Sequence, residues 1–148
     1  MSRNDQLKSI KNLAQAKEED EAKALAKLLQ RKQQAESKLV ELVGFRQEYE
    51  NKLKLSYAAE GAYIHQLREN RAFVARLSEA IHYQQQQIKS ISDELDNQIT
   101  SWRNSHASHK ALSKLLERYR REAVLVSDRR SQAETEDTVY GRIVRDQR

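Results

Sequence analysis

In the second half of the chain the apolar positions recur at alternating steps of three and four residues. They run Val74, Leu77, Ile81, Gln84, Ile88, Ile91, Leu95, Gln98, Trp102, Ser105, His109, Leu112, Leu116, Tyr119, Ala123, Val126. Twelve of these sixteen positions are apolar or aromatic, and the register holds over 53 residues. A mean step of 3.5 residues is the spacing of a coiled-coil seam on an α-helix. At 1.5 Å per residue the pattern predicts a helix about 80 Å long, more than a compact globule holds. The first half repeats the pattern as Leu25, Leu28, Lys32, Ala35, Leu39, Leu42, Arg46, Tyr49, Leu53, and seven of those nine positions fit. Upstream, Leu7, Ile10 and Ala14 continue the helix, but Lys17, Glu18 and Glu21 weaken the seam. The N-terminal third is therefore expected to be helical by propensity and loosely held.

The two registers do not join through Ser56-Tyr-Ala-Ala-Glu-Gly-Ala-Tyr63, which contains Gly61. A turn there closes an αα-hairpin. The predicted fold is all-α: an antiparallel two-helix coiled-coil hairpin in one domain spanning 1–148. Helix 1 is expected over about 5–57, the turn over 58–63, helix 2 over 64–133, and a frayed tail over 134–148. With the turn centred on Gly61, residue i faces roughly residue 122 minus i. That relation sets Leu53 near Glu69, Tyr49 near Phe73, Phe45 near Leu77, Leu42 near Ala80 and Leu7 near Leu115. Helix 2 then outruns helix 1. Leu116, Tyr119, Val124, Leu125 and Val126 would stand on an unpaired overhang. Two readings of it stand open: an interaction surface, or a segment that bends back or frays.

Composition supports this picture. The 148 residues are 33% charged and 38% hydrophobic. So little apolar side chain can bury a narrow stripe but not a thick core. There is no proline, where average usage would supply about seven, and the only glycines are Gly44, Gly61 and Gly141. Few turns are possible with so few helix breakers. Gly44 falls inside helix 1, where glycine costs up to about 1 kcal/mol against alanine, and a neighbouring helix or a partner close by would explain it. Absence of cysteine removes disulfide and thiolate chemistry. Neither a signal-type apolar stretch nor a run of about 20 apolar residues occurs, so a soluble, cytoplasmic protein is expected. The net charge of +5 is mostly interleaved, except where Arg118, Arg120, Arg121, Arg129 and Arg130 gather. A solvated face is the plainer reading of that cluster, and an acidic partner the alternative.

Catalysis needs titratable groups converging in a pocket that excludes water, and a two-helix hairpin has none. No enzyme activity and no cofactor are expected. Glu79-Ala-Ile-His82 has the Glu-x-x-His spacing of carboxylate-bridged di-iron bundles, but those use two copies and further glutamates. His106 and His109 stand at i, i+3 with no obvious third ligand, and His109 lies on the seam, which favours a structural role over a metal. Gln84 opens a short run of glutamines to Gln87. Seam Gln84 and Gln98 are of the kind that sets register in coiled coils. There is no Gly-rich phosphate loop. The stretch before the second seam, Gly61 to Arg71, is barely basic, which argues against a basic zipper and against nucleic acid as a partner.

Phe45, Tyr49 and Phe73 gather near the turn by the pairing relation. They mark either a locally wide core or an aromatic patch offered to a partner, since Tyr and Phe are enriched at interfaces. Phe45-Arg-Gln-Glu-Tyr49, the short loop with Gly61, Phe73, Leu77, Ala80-Ile81, Trp102-Arg103 and Leu115-x-Glu117-Arg118 together resemble the FliJ family of flagellar protein export. Arg129-x-x-Gln132 and Glu136-Asp137 resemble its acidic C-terminal pattern, although Ala133 stands where that pattern has lysine.

The resemblance implies a cytoplasmic two-helix coiled coil similar to the central shaft of rotary ATPases. It implies binding to the hexameric flagellar export ATPase, to the cytoplasmic linker of the membrane export gate and to export chaperones, at the inner face of the cell membrane. The gate-contacting patch of the family would map onto Lys38, Leu42, Phe45, Tyr49, Phe73, Leu77, Ala80 and Gln84. Lys38 and Gln84 depart from the family's polar residues, and Phe45 lacks the usual hydroxyl. The overhang residues Leu116, Arg118, Tyr119, Arg120, Arg121 and Leu125 would meet the ATPase or the chaperones. The hairpin reading expects a monomer. The alternatives are a generic self-associating coiled coil and the equivalent stalk protein of a virulence-type secretion system.

Overall fold

The structure, a computed structural model, describes residues 2–58 and 64–147. It contains two helices, α1 (Arg3–Ala58) and α2 (Ile64–Asp146), which pack against each other as an antiparallel hairpin. The expected turn falls largely on residues 59–63, which lie outside those described. Ser2 caps α1: its Oγ accepts the N–H of Asp5 at 3.2 Å, and Asp5 adds an acidic residue to the first turn.

Two compact units share these helices. One is Asp20–Trp102, and the other combines residues up to Glu19 with those from Arg103 onward. In the Asp20–Trp102 unit, the predicted seam positions of α1, Leu25, Leu28, Lys32, Ala35, Leu39, Leu42, Arg46, Tyr49 and Leu53, are all buried or half-buried, with Glu21, Ala24, Glu50 and Ser56 half-buried beside them. Those facing them on α2 include Leu77, Ile81, Gln84, Ile91 and Leu95, all buried. This is the predicted seam without a slip. Leu67 and Asn70 extend it towards the turn. Tyr49 and Phe73, expected to face each other, meet at 4.6 Å between ring centroids.

In the other unit the seam corrects the sequence reading. Leu7, Lys11, Ala14 and Glu18 are the half-buried positions of α1, while Ile10 is 49% exposed. The alternation of three and four selects Lys11 over Ile10, because helical angle rather than hydrophobicity decides which side chain faces the partner. Opposite them Leu116 is buried at 5% exposure, and the Arg3 guanidinium lies 5.5 Å from the centre of the Tyr119 ring. Leu116 and Tyr119 are thus covered by α1 and do not belong to the overhang. Helix 1 begins early enough to reach them.

Beyond Tyr119 the seam positions Ala123 and Val126 are exposed, as no segment of α1 remains to face them. The tail expected to fray over 134–148 is helical to Asp146. Within it the Thr135 and Thr138 hydroxyls donate back to the carbonyls of Ser131 and Glu134. Gly44 also differs from expectation: a Cβ placed there would meet nothing within 4 Å, so no second helix of this chain explains the glycine. No helix among the described residues is long and apolar enough to cross a membrane.

Two substitutions test this packing. Ile81→Ala, at 4% exposure, should cost about 2–4 kcal/mol in chemical denaturation. Gly44→Ala should add up to about 1 kcal/mol, since it improves helix propensity and meets no obstruction.

Candidate functional site

The eight residues mapped as a patch occupy two seam-related positions of the heptad. Leu42, Tyr49, Leu77 and Gln84 stand at d, and Lys38, Phe45, Phe73 and Ala80 at the flanking g. In an antiparallel pair the g positions of both helices line one edge, as the ion pair between Arg31 and Glu94 at 3.4 Å shows. The patch is therefore one face of the Asp20–Trp102 unit. Its members are not equally available. Leu77 is buried, and Gln84 is buried with its Nε2 donating to the Ala35 carbonyl at 3.0 Å. Leu42, Tyr49 and Ala80 are half-buried, and Lys38 is exposed. Phe45 and Phe73 keep 50% and 37% of their surface exposed, too much for wide-core residues.

Two cations frame the rings. Lys52 Nζ lies 4.9 Å from the Tyr49 ring centre, and the Arg76 guanidinium 5.9 Å from that of Phe73. Such contacts hold the cations over the ring faces. The mapping omitted these two residues and the exposed Leu55 and Tyr83. Arg76, Leu55 and Tyr83 occupy c, the heptad position beside g, so helical angle was the signal that could have found them.

The second surface begins where α1 ends. Arg118 pairs with Glu122 at 3.3 Å and Arg121 with Glu117 at 2.6 Å, both one turn apart along α2. Glu117, Arg120, Arg121, Val124 and Leu125 line an open groove on its outer side. Of the overhang residues singled out in the sequence, Arg118, Arg120, Arg121 and Leu125 are exposed and together, whereas Leu116 and Tyr119 lie under α1.

A third arrangement was not foreseen. Glu18 receives two imidazoles from α2: His106 Nδ1 donates to Oε1 at 3.0 Å and His109 Nδ1 to Oε2 at 2.5 Å. A carboxylate offers only acceptors, so both rings carry a proton on Nδ1. The hydrogen bond from His106 holds the Glu18 carboxyl below the ordinary glutamate range, against an opposing effect of desolvation and with further help from His109. Likewise Gln98 Nε2 donates to the Glu21 carbonyl at 3.1 Å and to its carboxylate. Of the three charged residues that seemed to weaken the seam, Glu18 and Glu21 are polar layers satisfied across it, whereas Lys17 is exposed beside it. Glu79 and His82 remain on the surface, where His82 pairs with Gln86. No cluster of three metal-ligating side chains occurs among the described residues.

A protein-family model described as Flagellar FliJ protein matches residues 2–146. The Flagellar FliJ protein of Escherichia coli (strain K12) is 28% identical over 137 residues, which cover 93% of this chain and 92% of that protein.

The Glu18 cluster makes a pH-dependent prediction. A depressed carboxyl stabilises the fold above the ordinary glutamate range, and that contribution is lost as pH falls through the lowered value. Glu18→Gln should therefore reduce the thermal midpoint at neutral pH, and its difference from wild type should shrink below about pH 4. Thermal melts from neutral to acid pH measure this; a difference that stays constant throughout would rule the linkage out.

Proposed function

The chain belongs to the FliJ family of flagellar proteins, and from that premise we propose that it serves flagellar protein export as a coupling element that binds and does not catalyse. Its partners are the hexameric export ATPase, the cytoplasmic linker of the membrane export gate, and the export chaperones. It works at the inner face of the cell membrane without entering it.

The observation that carries this reading is that each compact unit offers an exposed surface of its own. The d/g face of the Asp20–Trp102 unit offers Phe45, Phe73 and the edge of Tyr49 to the gate. Large aromatic side chains left half-exposed supply much of the binding energy of typical interfaces. Leu77, Ala80 and Gln84 set the spacing beneath them, and Lys38 and Leu42 continue the face along α1. The paired end of the hairpin, with the exposed Arg118, Arg120, Arg121 and Leu125, meets the ATPase or the chaperones. Cations there suit an acidic partner surface.

Alanine at Phe45, Tyr49 and Phe73 together should weaken binding to the gate linker by about tenfold or more and reduce motility. Helicity should be retained, because the buried Leu53, Leu77, Ile81, Ile91 and Leu95 still fill the seam around the Tyr49–Phe73 contact. Unchanged affinity for the gate linker would sink the assignment of this face.

A further inference from the structure

Gly44 borders a second stripe on α1. Ala26, Leu29, Gln33, Glu36, Val40 and Val43 recur at steps of three and four along the outer side of that helix. They occupy the b and e positions, turned aside from the seam with α2. Four of the six are apolar, and Leu29, Val40 and Val43 keep 51%, 71% and 40% of their surface exposed. The neighbouring c and f positions, Lys27, Gln30, Gln34, Ser37, Glu41 and Gly44, carry no aliphatic side chain. On α2 the e positions along the same edge are Ser78, Gln85, Ser92 and Ile99, all uncharged. In a chain one-third charged, this stripe beside an uncharged edge has the pattern of a second coiled-coil seam, and its residues stand uncovered.

The order of residues along the stripe says what covers it. Glu36 is its one charged residue, and Lys32 holds it at 4.0 Å along α1. Against a reversed copy of the same stripe, Leu29 meets Val40, Ala26 meets Val43 and Gln33 meets Glu36. Each apolar residue then faces an apolar one. Each Glu36 faces a glutamine amide, which donates to a carboxylate as Gln98 does to Glu21 inside the hairpin. A shift of one heptad either way would set Glu36 on Ala26 or Val40, and a parallel copy would set Glu36 on Glu36. The flanking charges favour the same arrangement. Lys23 and Lys27 border the start of the stripe, and Glu41 and Glu48 its end, so a reversed copy brings lysines beside glutamates. Glu50 is already held by Arg46 at 3.9 Å, and Asp20 and Lys54 lie beyond the two ends. We propose that a second copy of this chain docks on the outer side of α1, antiparallel, with Leu29 of each copy on Val40 of the other.

Gly44 fits this contact. It stands at f beside Val43, and a Cβ there would meet nothing of its own chain within 4 Å. In the paired copies the Lys23 stem of one passes over Gly44 of the other, where the missing side chain leaves it room to reach towards Glu48. One two-fold axis, midway between Gln33 and Glu36, relates the copies, so the arrangement is closed and stops at a dimer of two hairpins. It departs from the monomer expected of a bare hairpin. It goes beyond the export reading and leaves it intact, because Phe45 and Phe73 stand at g, on the edge opposite the e positions used here.

Cross-linking reads the register directly, since the chain has no native cysteine. Full-length Leu29→Cys and Val40→Cys variants, mixed in equal amounts and mildly oxidised, should form a disulfide-linked dimer at least about tenfold faster than either variant alone. Two copies of position 29, or two of position 40, lie about 16 Å apart along the axis in this register, too far for a disulfide. Sedimentation equilibrium of the wild-type chain should show a monomer–dimer equilibrium at micromolar concentrations. Val40→Asp, at a position 71% exposed, should keep the hairpin fold by far-UV circular dichroism and raise the dimer dissociation constant at least about tenfold. A wild-type chain that stays monomeric to about 100 µM, single variants that cross-link as fast as their mixture, or an unchanged dissociation constant in Val40→Asp would each overturn the proposal.

Discussion

One narrow interface, the a/d seam between α1 and α2, decides everything else in this molecule. A chain that is one-third charged has no second layer of apolar residues with which to build a core. Among the described residues the buried apolar side chains, Leu53, Leu77, Ile81, Ile91, Leu95 and Leu116, all lie on that stripe. Register therefore carries unusual weight. A slip of one heptad step would bring apolar residues against apolar residues almost as well, so hydrophobic burial alone does not fix the pairing.

The polar layers supply what burial does not. Gln84 on the Ala35 carbonyl, Gln98 on Glu21, and His106 and His109 on Glu18 each join one particular residue of α2 to one of α1. A shifted register would part Glu18 from His106 and His109, and the Glu21 carboxylate from Gln98; Gln84, bonded to a backbone carbonyl, holds the helices together in any register. The Glu18 and Glu21 layers add little net stability compared with leucine in the same place, but they penalise the alternatives. The penalty is heaviest towards the open end of the hairpin, where apolar seam residues on α1 thin out to Leu7 and Ala14.

Much of this was legible in the sequence, and the misses have a common cause. The α2 seam from Val74 to Tyr119 follows from periodicity, which belongs to one helix alone. So does the pairing of Tyr49 with Phe73, once the turn is placed. Glu18 and Glu21 read as seam breakers because an acidic side chain looks costly until its partner on the other helix is known. That is a property of the pair and not of either stretch. Ile10 attracted the reading by its hydrophobicity, whereas Lys11 holds the facing angle and can bury its stem while its ammonium reaches water. Of the candidate binding face, the aromatic residues were visible as chemistry. Lys52, Arg76, Leu55 and Tyr83 were not, since nothing about an isolated g or c residue distinguishes it until two helices bring both edges together.

The functional reading presupposes that the helices run antiparallel in this register. Spin labels on Val40→Cys and Tyr83→Cys test that premise most directly, because the chain contains no native cysteine and both positions are exposed. Dipolar distance measurement, with the labelled chain diluted in unlabelled protein, should give about 20–25 Å, the width of two helices side by side. A distance of about 65 Å, the rise of one unbroken helix between the two positions, would contradict the hairpin and everything built on it.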